Sequence, residues 1–215
     1  MLEQNELEEL RNRLKQEFSG YYEKSGGKNY RYHHLESTRK HVIEIMDFDV
    51  VDRDEVDEKV VEISALFHDI GRKEDIEDGV MDPFEGHEGH AGRGAKVVAD
   101  FVSDFLEESK VEKVETIVGN HHSQPETPEG KIVQDADLLT NYGVSDLWRM
   151  IHYSSEEQRS MPEAFEYFWD NHMPRYLDKL EEFHFEASRR WARKRITKHQ
   201  EAIKNMESEF HAEDR

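Results

Sequence analysis

The chain has 215 residues, 35% hydrophobic and 36% charged, enough for one sizeable core with broad solvated faces. Its formal charge of -20 argues against a nonspecific nucleic-acid binder and against a protein that seats on anionic membranes. Zero cysteines exclude a disulfide framework and a thiolate metal site, so any metal must be held by imidazole and carboxylate.

The N-terminus, "MLEQNELEELRNRLKQEF", reads as an acidic amphipathic helix over 2–18 with Leu2, Leu7, Leu10 and Leu14 on it, and lacks a signal-peptide core. No run approaches the ~18 apolar residues of a membrane span, so a cytoplasmic location is expected. "SGGKN" (25–29) breaks the chain, and a helix resumes near His33 and His34 and runs to about Met46. Asp52 followed by Glu55 resembles a capping box that opens the next helix. That helix, "VVEISALFHDIGR", is apolar at Val60, Ile63, Leu66, Phe67 and Ile70, the spacing of a buried face. It ends in His68 and Asp69. An aspartate at the inner end of a core helix demands a partner, and a divalent cation fits an adjacent imidazole and carboxylate.

After Gly71, "RKEDIEDGVMDPFEG" reads as turn-rich, with a turn at Asp82-Pro83. A helix is expected over 88–107, then one capped by Ser109 and Glu112 that ends at Gly119. "SQPETPEG" is a loop, and "KIVQDADLLTNYG" is apolar-periodic again. Helices near 144–152 and 161–171 follow, then a long charged helix from about Pro174 to the end. The fold class is all-α, one domain over 1–215, with no strand signal above noise.

Further candidate ligands lie at helix ends: His90 in "HEGHAGRGAKVV", the pair His121-His122 in "IVGNHHSQP", and Asp137, drawn inward by Ala136, Leu138 and Leu139. Side chains converging from several helices are how bundles build metal sites. The order His34, His68-Asp69, Asp137 resembles the H…HD…D signature of the HD-domain metal-dependent phosphohydrolase superfamily. "HDIGR", His90 before Gly94-Ala95, "NHH" and "DADLL" resemble that family's local contexts, covering roughly 30–170, with the remaining helices (171–215) packed on that core. His34 is preferred to His33 because it shares a helical face with Thr38, His41 and Val42. No Gly-Tyr-Pro follows the histidine pair, a departure from the subclass that hydrolyses cyclic dinucleotides.

The resemblance implies one or two divalent ions (Mn, Fe, Co, Ni, Zn or Mg). His34, His68, Asp69 and Asp137 would hold the first, and His90 and His121 the second, bridged by Asp69. It implies hydrolysis of a phosphate ester of a nucleotide or other small phosphorylated metabolite by metal-activated water, with Asp69 and Arg72 as the catalytic residues. The alternatives are a diiron oxygenase of the same framework that cleaves a C–C or C–P bond, and a non-catalytic ligand-binding module. His87 and His122 have no settled role. His41, His152, His172, His184, His199 and His211 read as structural. The basic run from Arg189 to Lys198 reads as a solvated face, and the aromatic stretch 165–176 as core or the seam of a homodimer.

Overall fold

A computed structural model describes residues 1–78 and 89–213. The fold is all-α apart from one minimal hairpin. Helix α1 (Gln4–Phe18) buries Leu7, Leu10, Leu14 and Phe18, and a capping box between Glu3 and Glu6 starts it. Two-residue strands, β1 (Tyr22–Glu23) and β2 (Gly27–Lys28), pair antiparallel with Tyr22 opposite Lys28. Gly27, the first residue of β2 after the turn, has a φ of +83, a conformation that costs glycine little.

Helix α2 (Tyr30–Met46) packs on α3 (Glu58–Phe67) and on α8 (Pro128–Thr140), and these three make the centre of the core. The cap of α3 is Asp57, whose side chain accepts from the Val60 N–H at 3.2 Å. Asp52 instead caps a 3-10 turn over Arg53–Glu55, so the expected capping box lies one turn too early. Thr127 and Pro128 start α8 by the same chemistry as Asp57, Thr127 accepting from Gly130 N–H at 3.1 Å.

Two further departures follow. The acidic stretch after Gly71 forms a helix, α4 (Arg72–Glu77), not a string of turns. Long-range pairs hold it, Lys73 to Glu17 at 2.6 Å and Asp75 to Arg93. Helices α5 (His90–Val97) and α6 (Ala99–Val102) follow, then α7 (Glu108–Asn120), whose N-cap position is Glu107, not Ser109. The Asp82-Pro83 turn and His87 fall outside the described residues.

After a 3-10 turn (Val144–Asp146) come α9 (Leu147–Glu156) and α10 (Met161–Tyr167). One π-helical turn, Phe168–His172, leads into α11 (Met173–Asp178). Pro174 lacks the N–H for the Asp170 carbonyl and its ring crowds that position, which accounts for the wider turn. The long terminal helix does not start at Pro174. A 3-10 turn (Lys179–Glu182) and an extended link precede α12 (Glu186–His211). Asp135 of α8 accepts from the His184 and Phe185 N–H groups at 2.8 and 3.1 Å, which pins this link. Phe165, Phe168, Met173 and Tyr176 are buried, so the aromatic stretch belongs to the core. Among the described residues, no helix is long and apolar enough to cross a membrane.

Candidate metal centre

Four elements deliver the candidate ligands: His34 from α2, His68 and Asp69 from the end of α3, His90 from the start of α5, and Asp137 from α8. His121 and His122 follow the end of α7. They fall into two groups. In the first, His34 Nε2 lies 3.2 Å from His68 Nε2 and 3.2 Å from Asp137 Oδ1. In the second, His90 Nε2 lies 3.3 Å from His121 Nε2 and 3.0 Å from His122 Nε2. Asp69 spans both. Its Oδ2 is 3.4 Å from His34 Nε2, and its Oδ1 is 3.1 Å from His90 Nε2.

Proton accounting shows what these groups suit. His68 Nδ1 donates to the Ala65 carbonyl at 2.9 Å, and His121 Nδ1 donates to the Val118 carbonyl at 2.6 Å. Thr140 gives its one hydroxyl proton to the Asp137 carbonyl at 2.7 Å, so at 3.2 Å it can only accept from His34 Nδ1. These bonds assign the Nδ1–H tautomer to all three rings and leave each Nε2 with a lone pair. Lone pairs aimed at one another in a buried site repel unless a cation sits between them. Asp69 Oδ1 is likewise buried without a hydrogen-bond partner. With metal–ligand bonds of about 2.1 Å, neighbouring ligands of one ion stand about 3.0 Å apart in an octahedron and about 3.4 Å in a tetrahedron. The observed separations match, and both groups can hold a divalent metal.

The electrostatics agree. Burial raises the cost of charge on Asp69 and Asp137, yet Arg31 beside Asp69 and His68 beside Asp137 hold both well below the usual carboxylate range. Burial also opposes charge on His34, but Asp137 and Asp69 outweigh it and push its pKa up: the space between them favours positive charge. Burial pushes His90 down and His122 down to about 2, so both present neutral rings. Neutral imidazole is the ligating form.

His34 thus joins the cluster, while His33 is exposed and packs on Tyr32. His122 is brought to the second group. Arg72 lies at the first turn of α4, near Asp75 and, at 3.9 Å, Asp69. Three residues that the sequence reading missed stand close by. Arg31 pairs with Asp69 and, at 2.6 Å, with Glu23; Arg149 sits over the Tyr30 ring, which stacks on His34. His172, taken as structural, lines the same space. Only Arg31 carried a signal, one turn before His34 on the same helix face.

Both groups open on a cavity of about 380 Å3. Its near wall is the metal-ligand framework; its far wall comes from α9, α10 and α11, including Tyr153, Tyr167 and Arg175. The molecule is therefore a helical protein whose inward histidines and aspartates form two adjacent groups that could each hold a metal ion. A family model for the HD domain matches residues 27–142, and the chain belongs to that family. Among solved structures it is similar to a predicted HD superfamily hydrolase from an uncultured Thermotogales bacterium, at 23% identity and a TM-score of 0.65, over 95% of this chain and 92% of that one. It is also similar to an HD-superfamily hydrolase from Bacillus thuringiensis, at 21% identity and a TM-score of 0.66, over 97% and 98%. A third is Bacillus subtilis YpgQ in complex with ADP, at 17% and 0.64, over 95% of each. At these identities the likeness concerns the fold. No curated protein sequence matches the chain.

Proposed function

We propose that this protein is a metal-dependent phosphohydrolase that cleaves a phosphate ester of a nucleotide or another small phosphorylated metabolite. One observation carries the reading. In a chain of net charge -20, the cavity over the two ligand groups is lined by Lys24, Arg31, Arg72, Arg149, Arg175 and Lys179. Six cations gathered there, with tyrosines between them, outnumber the lining carboxylates Glu23, Asp69, Asp75, Asp137 and Glu182. With Asp69 and Asp137 turned to metal, they suit an anionic substrate that the rest of the surface repels. The similarity to proteins described as HD superfamily hydrolases, and to YpgQ with its bound ADP, supports the same class.

His34, His68 and Asp137 would hold one divalent ion, and His90, His121 and His122 a second, with one oxygen of Asp69 turned to each. Such ions supply Lewis acidity to phosphoryl oxygens and lower the pKa of water. The chain's own residues do the rest. Arg31 and Arg72 flank Asp69, where their guanidinium groups can take up charge on the non-bridging oxygens. Burial strips solvent from the Arg72 guanidinium and pushes its pKa down, against the opposing pull of Asp69 and Asp75. Asn141 accepts from Arg149 and keeps that guanidinium over Tyr30.

Protein loaded with Mn, Co, Fe or Zn, assayed anaerobically on nucleotides and general phosphate esters, is expected to release product. His68→Ala and Asp69→Asn are expected to abolish it. Undiminished turnover in those variants, or turnover only with dioxygen, overturns the assignment.

A further inference from the structure

A second cluster of buried titratable groups lies on the far wall, built from residues after the matched family region. Asp146 precedes α9, His172 ends the π-helical turn, Tyr176 lies on α11 and His199 on α12. Asp146, His172 and His199 fall within the reach of one small ion. Distance argues against one. His172 Nε2 stands 2.7 Å from Asp146 Oδ2, shorter than the 3.0–3.6 Å separations at the metal centre and right for a shared proton. The Tyr176 hydroxyl donates to the same oxygen, and Arg149 lies 3.5 Å from Asp146 Oδ1. Two donors share Oδ2, while Oδ1 is buried without a hydrogen-bond partner and faces only the Arg149 charge. Burial opposes its charge, but the bond from His172 and the charge on Arg149 hold its pKa down, so it accepts and does not donate.

The ring of His172 is thereby fixed with its proton on Nε2. It makes no other hydrogen bond among the described residues, and it borders the cavity at 8% exposure. Nδ1 is left as an acceptor with a lone pair. Its setting is cationic and aromatic, with Arg149, Arg175 and Lys179 on the same wall beside Tyr153, Tyr167 and Tyr176. Cations there suit the substrate's phosphate and supply no acceptor. His172 Nδ1 offers a neutral donor a buried acceptor held in a fixed direction, which the more mobile Glu182 carboxylate on the same lining does not. A π-helical turn, a local irregularity frequent at functional sites, carries it.

We propose that His172, clamped by Asp146, is a specificity-determining residue whose Nδ1 accepts a hydrogen bond from a hydroxyl of the substrate's organic part. This rests on the phosphate-ester reading above, but binding alone can test it. Pairs of sugar phosphates that differ by one hydroxyl, such as ribose 5-phosphate and 2-deoxyribose 5-phosphate, or glycerol 3-phosphate and propyl phosphate, serve as probes. Affinities would be measured by calorimetry on the metal-free protein, and kcat/KM on the metal-loaded protein.

Wild type is expected to prefer the hydroxylated member of at least one pair by about tenfold, the scale of one buried hydrogen bond. His172→Phe is expected to erase that preference while it leaves the weaker member's affinity within about twofold. Asp146→Asn, which frees the tautomer, is expected to reduce the preference in part. A folded wild type that shows no preference in any pair, or a His172→Phe protein that keeps it, overturns the proposal. Should His172→Phe fail to fold, 15N spectra of the wild-type imidazoles decide. Nδ1 of His172 must be unprotonated and must shift when the preferred member binds. Discrimination in binding without hydrolysis of any ester would sink the phosphohydrolase reading and leave this one standing.

Discussion

The candidate ligand groups and the Asp146–His172 cluster use the same two residue types around the same cavity, yet their geometry suits them to different tasks. The difference lies in where each imidazole spends its proton. At the centre, His68 and His121 give Nδ1–H to backbone carbonyls, so Nε2 is bare and stands 3.2–3.6 Å from its neighbours. On the far wall, His172 keeps its proton on Nε2 and closes to 2.7 Å on a carboxylate. A carbonyl behind the ring makes a ligand; a carboxylate in front of it makes a hydrogen-bond clamp. Ligand-like composition is not enough to name a metal site.

The largest expected effect separates the two groups within the centre. Asp69→Asn is expected to lower turnover on the order of a thousandfold or more and to deplete both ions, because one oxygen serves each group. His34→Ala and His90→Ala are each expected to lower the metal content by one ion per chain, measured by elemental analysis. Equal loss from all three variants would mean that the groups do not bind independently.

Next in size is stability. Facing lone pairs are relieved by a cation, so a chelator is expected to lower the Tm by roughly 5–10 °C, reversed by added metal. The Asp146 carboxylate, held by His172, Tyr176 and the Arg149 charge, is expected to contribute no part of that shift, so wild type and Asp146→Asn should respond alike to chelator.

A smaller effect tests the far side of the cluster through pH. Burial pushes His199 down to about 4, and both its nitrogens are buried without partners. A histidine whose folded pKa is depressed stabilises the fold above its ordinary value near 6.5, and that contribution is lost as pH falls toward 4. The loss is on the order of 3 kcal/mol. His199→Leu is expected to remove most of this acid sensitivity in denaturant melts at pH 7, 5.5 and 4. At pH 7 it should be neutral or slightly stabilising, since two orphaned polar atoms go. An acid-labile His199→Leu protein would place that sensitivity elsewhere.

How much of this was legible in the sequence follows from how local each signal is. His34, His68, Asp69, Asp137, His90 and His121 stand at helix ends or beside apolar runs, and their order along the chain resembles the HD signature closely enough to single them out. The all-α class was equally plain. Helix α4 was not, because six residues are too few to make a stable helix by themselves and tertiary pairs such as Lys73–Glu17 hold it. Nor was His172, whose meaning depends on Asp146 lying 26 residues earlier and on a π-helical turn set by Pro174. Arg31 and Arg149 look like ordinary helix-surface cations until the fold buries them over one cavity.

Gly71, directly after the His68-Asp69-Ile70 turn, has one more consequence. A Cβ there would stand 2.1 Å from the His90 carbonyl and 2.6 Å from the Gly94 nitrogen, both main-chain atoms with little room to yield. The missing methyl lets the end of α3 lie directly on the start of α5. The chain segments that carry Asp69 and His90 therefore meet backbone to backbone. Side-chain packing can drift as a core evolves or warms, but main-chain contact sets a hard stop. Gly71 acts as a ruler that fixes the interval between the two ligand groups.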